Sequence, residues 1–144
     1  MDRGRTATKR HLITDGRGLP LAAAITAANV NDYGQLLPLL DMLERELPGD
    51  RREVLADRGY DAKAVRDGIS ERGFTPRISQ RNRPGEGRKR DTQAKDRSPI
   101  ERTFAWLSYF RRLAIRWERR DDLYLAFLLL GCAIICWRRL HKSL

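Results

Sequence analysis

The chain has 144 residues and 16.7 kDa, 41% hydrophobic and 33% charged, which bounds it to one domain or part of one with a modest core. Lys and Arg number 29 against 19 Asp and Glu, and the net charge of +10 favours an anionic partner, nucleic acid first and an acidic membrane surface second. Two cysteines in one apolar run make neither a disulfide framework nor a zinc cluster, no apolar h-region opens the chain, and the longest uncharged apolar stretch, 123–137, falls short of the ~20 residues of a span. Secretion, membrane spanning and disulfide stapling are therefore excluded, and a cytoplasmic protein is expected.

Residues 9–14 read as a strand, Asp15-Gly16-Arg17-Gly18 supplies turn chemistry, and 19–28 is apolar again, which predicts a β-hairpin. Asp32 and Gln35 stand at capping-box spacing before Leu36, Leu37, Leu40 and Leu43 at helical intervals. Pro38 makes this helix start late or bend early, and Pro48-Gly49-Asp50 is its expected stop. A short strand over 52–57 ends in Asp57, followed by Gly59 as a flexible step. Asp61 is the expected N-cap of a helix running to Arg72, closed by Gly73, and 74–79 is one more strand.

Residues 80–97 read as a basic loop: Arg81, Arg83, Arg88, Lys89, Arg90, Lys95 and Arg97 face only Glu86, Asp91 and Asp96, with Pro84-Gly85 inside. A long helix is expected from Pro99 to about Glu118, and a strongly apolar one from about Asp122 to Leu140. The order of elements is α/β, with helical connections that favour parallel crossovers. Three segments follow: an α/β portion over 1–79, the basic loop over 80–98 and C-terminal helices over 99–144.

Two carboxylates carry the chemical interest. Asp57 ends an apolar strand, the place where open α/β sheets bind ligands, and a carboxylate held there suits a metal; a turn-forming aspartate is the plainer reading. Glu101 closes a Ser98-Pro99-Ile100-Glu101 capping box, which explains it without chemistry. Yet on a continuous helix Ile100, Phe104, Trp106, Leu107, Phe110, Leu113 and Trp117 share an apolar arc, and Glu101, Ser108, Arg112 and Arg116 share the other side. An acid beside arginines serves a metal-and-phosphate site or an ordinary solvated face. Arg111, Arg112, Arg116, Arg119 and Arg120 are further candidates for phosphate contacts. Cys132 and Cys136 read as buried structural thiols, and the 127–137 stretch offers an apolar face to a membrane surface or, more simply, to the core.

Taken together, Asp2-Arg3-Gly4, Thr8-Lys9-Arg10-His11-Leu12, Gly18-Leu19-Pro20-Leu21-Ala22, Ala28-Asn29-Val30-Asn31-Asp32, Ala56-Asp57-Arg58-Gly59-Tyr60-Asp61 and Ile100-Glu101-Arg102-Thr103-Phe104-Ala105-Trp106-Leu107 resemble bacterial insertion-sequence transposases of the DDE type. Phe110-Arg111-Arg112-Leu113 and Cys136-Trp137-Arg138-Arg139-Leu140 extend the resemblance to nearly the whole chain. It implies a ribonuclease-H-like mixed sheet with flanking helices, and a triad of carboxylates that binds two divalent ions, usually Mg²⁺ with Mn²⁺ as an alternative, to nick transposon ends and join their 3′ hydroxyls to target DNA. It assigns Asp57 and Glu101 to the second and third triad positions, and Arg97 to the arginine of the family's Tyr–Arg–Glu–Lys signature. The tyrosine and lysine positions fall on Ala94 and Ser108, which depart from it.

The resemblance also implies that the first aspartate and the first, central strand lie upstream of Met1. The expectation is then an incomplete sheet with unpaired edges, marginally stable and inactive alone, either a relic or the partner of an upstream half. DNA-binding residues expected on this basis are Arg97, Arg88, Lys89, Arg90, Arg111, Arg112 and Arg116; the complete enzyme is expected to be a homo-oligomer with no membrane contact. A DNA-binding remnant without chemistry is the competing reading.

Overall fold

A computed structural model of the chain describes residues 8–43, 52–80 and 98–142. In chain order the elements are β1 (Thr8–Thr14), β2 (Pro20–Ala27), α1 (Tyr33–Asp41), β3 (Glu53–Ala56), α2 (Lys63–Glu71), β4 (Thr75–Ile78), α3 (Ser98–Ser108), α4 (Arg111–Ala114) and α5 (Asp121–Lys142). This is the mixed α/β class expected. Among the described residues the four strands form two separate two-stranded sheets, antiparallel β1–β2 and parallel β3–β4. The chain divides into two compact units, one of residues 1–30 with 99–144 and one of residues 31–98. The hairpin and the C-terminal helices thus belong to one unit, although about 70 residues of sequence lie between them.

In the first unit, the hairpin is closed by Asp15. Its Oδ1 accepts the N–H groups of Arg17 (2.9 Å) and Leu19 (2.7 Å), and its carbonyl accepts that of Gly18. Gly18 has φ +83°, a conformation that side chains disfavour, and a Cβ there would lie 2.9 Å from the Pro99 carbonyl oxygen. Leu12 and Ala23 from the hairpin join Leu107, Leu113, Tyr124, Leu128, Cys132 and Ile135 in one core. His11 is buried as well, its Nε2 2.7 Å from the Thr26 hydroxyl.

The helix expected through Glu118 ends instead at Ser108. Phe110 is extended (φ −81°, ψ 112°), and the short α4 then carries Leu113 into the core. Beyond it the chain is not helical because Arg116 satisfies backbone that a helix would otherwise pair: its guanidinium donates to the carbonyls of Glu118 (2.8 Å) and Arg119 (3.3 Å). The single apolar arc therefore breaks, and Trp117 is exposed.

Helix α5 matches expectation in its bounds but corrects the reading of its length. Counting only uncharged residues understated it: residues 121–141 are long and apolar enough, by length and composition, to cross a membrane. One face of the helix, Tyr124, Leu128, Cys132 and Ile135, is buried in the core.

In the second unit, β3 and β4 pair in parallel from Glu53↔Thr75 to Ala56↔Ile78, joined by α2 as the crossover. Helix α2 lies close to α1 at Gly68, where a Cβ would meet the Leu37 side chain at 2.6 Å. Gly73, with φ +77°, closes α2 as expected. The expected caps fail. Asp32 has helical dihedrals and makes no side-chain cap bond, and α2 begins from Ala62 while Asp61 accepts Arg66 Nη2 at 2.8 Å and Nε at 3.0 Å. Two charged donors converging on Asp61 Oδ1 outcompete a backbone N–H for that carboxylate. Helix α1 tolerates Pro38 inside it and ends at Asp41, well before the expected Pro48 stop, which lies outside the described residues.

Candidate functional site

Asp57 immediately follows β3, at the carboxyl end of the parallel pair. Its backbone is extended (φ −74°, ψ 174°), and its Oδ1 accepts the Gly59 N–H at 2.7 Å, capping the single 3₁₀ turn Arg58–Tyr60. A Cβ on Gly59 would lie 2.8 Å from that oxygen, so the glycine permits the tether. The turn-forming role is thus real, and it also fixes the carboxylate's aim. The side chain is exposed, with Oδ2 outside the tether.

Tyr60 completes this corner. Burial, then the negative charges of Asp32 and Asp57, push its phenol up to about 12, so it stays protonated as a hydrogen-bond donor at neutral pH. From the sequence Asp32 reads as a helix cap and as the last residue of the family-like stretch over 28–32. Its place beside Tyr60 had no spacing signal, because Asp32 and Asp57 are joined only through the fold of the unit.

Glu101 sits in the first turn of α3, exposed, in the other compact unit. A carboxylate there is favoured by the positive end of the helix. The Ser98 side chain, with which it was expected to form a capping box, lies outside the described residues. Two residues on, Thr103 is fully buried, and its Oγ1 reaches the Gly18 carbonyl oxygen (2.6 Å) and that of Pro99 (3.0 Å). Arg102 adds a bond to the Arg17 carbonyl at 3.2 Å. The hairpin turn therefore fixes the helix segment that presents Glu101. Sequence reading missed this pairing: Gly18 is legible as a turn glycine and Thr103 only as a helix residue.

The expected arginines differ in their commitments. Arg111 is exposed at the start of α4. Arg112 pairs with Glu118 at 2.7 Å and stacks over the Phe127 ring at 5.6 Å, but keeps a largely exposed side chain. Arg116 is drawn inward: besides its two carbonyls it binds the Thr8 hydroxyl and Asp121 (2.5 Å) and covers the Tyr124 ring at 5.2 Å. Arg88, Lys89, Arg90 and Arg97 lie outside the described residues.

Asp57 and Glu101 are exposed oxygen donors, the type that holds a hard divalent cation such as Mg²⁺. Among the described residues no three His, Cys, Asp or Glu side chains gather into a metal-holding group. What the geometry offers is a carboxylate tethered at Asp57, an exposed one on the anchored first turn of α3, and an exposed basic segment over 111–112.

Residues 2–136 match the family model described as Transposase DDE domain. The chain is 48% identical over 149 residues to a Burkholderia cepacia protein named as transposase for insertion sequence element IS402, covering 99% of this chain and 68% of that protein. It is 33% identical over 145 residues to a Brucella ovis protein named as transposase for insertion sequence element IS6501, covering 92% of this chain and 98% of that one. No solved structure matches.

Proposed function

The chain belongs to the Transposase DDE domain family, and on that premise we propose that it serves DNA cleavage and strand transfer, with Asp57 and Glu101 as metal-binding carboxylates of a ribonuclease-H-like site. The observation that carries the reading is the tethered carboxylate at the end of β3, within a family match that also spans Glu101. The reaction is an in-line displacement. A water or 3′ hydroxyl gives up a proton to solvent as its oxygen forms a new bond to phosphorus, the opposite P–O bond breaks, and the departing oxygen takes up a proton.

Two divalent ions, when bound, would stabilise the attacking and leaving oxygens together. The chain's own contribution is positional. The Gly59 N–H holds Asp57 Oδ1 and leaves Oδ2 as the outward donor. The Thr103–Gly18 bond holds the first turn of α3, from which Glu101 projects to solvent. Acids brought together at a site repel one another until cations neutralise them, which is why each has to be held on a rigid element. Arg111 and Arg112, with Arg88, Lys89, Arg90 and Arg97, supply phosphate attraction; Arg116 shapes the segment that displays them. DNA is the partner, and the cytoplasm the compartment in which it is met.

The test is calorimetric titration of Mn²⁺ and Mg²⁺ into the wild type, Glu101→Gln and Asp57→Asn, alongside duplex binding by fluorescence anisotropy in chelator. Each substitution is expected to weaken metal affinity by about tenfold or more while metal-free duplex binding persists. Unchanged metal affinity in Glu101→Gln would remove that residue from the site and leave DNA binding without chemistry as the function.

A further inference from the structure

Trp106 carries two arginines. Arg102 precedes it by one turn of α3, so the two side chains share a helix face, and its guanidinium carbon lies 5.5 Å from the centre of the ring. Arg139 reaches the same ring from the far end of α5, at 4.9 Å. The two guanidinium carbons are therefore no farther apart than about a Debye length, ~10 Å at 0.1 M salt. Both arginines are exposed, and the ring they share is half-buried.

Two other stacked arginines of this unit come with an acid. Arg112 over Phe127 pairs with Glu118, and Arg116 over Tyr124 pairs with Asp121. Among the described residues no Asp or Glu pairs with Arg102 or Arg139. In the hairpin turn that Arg102 touches, the Asp15 carboxylate is occupied at Oδ1 by the N–H groups of Arg17 and Leu19. Like charges gathered on one ring repel, and the face of an indole offsets only part of that repulsion. An anion completes the arrangement.

We propose that Arg102 and Arg139, held on Trp106, grip two backbone phosphates of DNA. This rests on the transposase reading, because Glu101 is the residue before Arg102 on α3 and gives a DNA strand reason to lie there. Stacking uses the flat face of a guanidinium and leaves the N–H donors at its edge. Arg102 gives one of its donors, on Nη2, to the Arg17 carbonyl at 3.2 Å, and among the described residues no hydrogen bond takes up Arg139. What remains is the planar fork that a phosphate accepts in two parallel bonds. The ring also restrains two long side chains before the ligand arrives, so less rotamer freedom is lost on binding.

Fluorescence anisotropy of a labelled duplex with the full chain, in chelator and across a series of KCl concentrations, tests this. Arg102→Gln and Arg139→Gln are each expected to reduce the slope of log affinity against log salt by about 0.9, and the double variant by about 1.8. Lys63→Gln with Arg77→Gln removes the same charge from the unit of residues 31–98 and is expected to leave the slope unchanged. Trp106→Leu keeps both charges and is expected to weaken binding about threefold at one salt concentration with the slope kept; Trp106→Phe, which keeps a ring, falls between it and the wild type. A wild-type slope in the double arginine variant, with or without a lower melting temperature, would make the stack purely structural and overturn the proposal. So would an equal loss of slope in the charge-matched control, or wild-type affinity in Trp106→Leu. If the double variant loses flotation with phosphatidylglycerol vesicles and keeps its duplex slope, the phosphate is a lipid's and the proposal falls. The duplex titrations contain no metal, so failure of Glu101 as a ligand leaves them untouched, and their failure leaves the metal titration untouched.

Discussion

Thr103→Val isolates the bond that holds α3 to the hairpin turn. The substitution keeps the side chain's shape and replaces one hydroxyl by a methyl, so no cavity opens. What changes is that the buried Gly18 carbonyl loses its 2.6 Å donor in a site where Thr103 has no exposed surface. Leaving a buried acceptor unsatisfied costs about 1–3 kcal/mol. With a urea dependence of about 2 kcal/mol per molar, the midpoint should fall by roughly 1 M. Tryptophan fluorescence is the assay, because Trp106, Trp117 and Trp137 all belong to the unit of residues 1–30 and 99–144 and report on it alone. Thr103→Ser, which keeps the donor, should stay closer to the wild type. A Thr103→Val midpoint equal to the wild type's would show that the turn and α3 are not coupled through this hydroxyl, and the positioning argument for Glu101 would go with it.

Gly18→Ala should destabilise the same unit by more than about 1 kcal/mol in the same urea titration, since its φ of +83° and the Pro99 oxygen at 2.9 Å both oppose a Cβ. Arg116→Lys should lower the stability of that unit by about 1–2 kcal/mol, because an ammonium cannot span the partners of the guanidinium; Arg111→Ala should leave stability alone and reduce the salt dependence of duplex binding by about one phosphate's worth. In the other unit, the hydrogen bond from Arg72 holds the Asp41 carboxyl below its ordinary 3.8. That contribution to stability is present above pH 3.8 and is lost as pH falls through the lowered native value, so Asp41→Asn should flatten the acid limb of the melting-temperature profile. Burial, and then the neighbouring Cys136, raise the Cys132 thiol to about 11, so native protein should react with iodoacetamide slowly at Cys132 and quickly once unfolded, as followed by mass spectrometry.

The parts of the fold that were readable from residues alone are those set by local chemistry. The Asp15 turn, the alternation around it, the run that becomes α5 and the Gly73 stop each depend on a few neighbouring side chains. The break after Ser108 was hidden because Leu107, Phe110 and Leu113 keep helical spacing even though the chain turns between them: all three still reach or border the core, so hydrophobicity carries no record of the turn. The displaced caps have the same origin, since Asp61 is claimed by Arg66 and that competition depends on where α2 lands. At the site, Asp57 was legible from the strand end and from the family resemblance. The Tyr60 corner and the Thr103 anchor were not, because each depends on residues that meet only in the folded units.

The unit containing Glu101 is assembled from two segments far apart in sequence, with the bond between Gly18 and Thr103 spanning 85 positions. During synthesis the hairpin leaves the ribosome long before the helices that cover Leu12 and Ala23 exist. For that interval the apolar surface of the nascent strands is uncovered, and a transcript broken before codon 99 would leave it so permanently. Helix α3 and the hairpin can meet only after translation has passed residue 108, so any acid displayed by that helix is positioned well after the hairpin has been made.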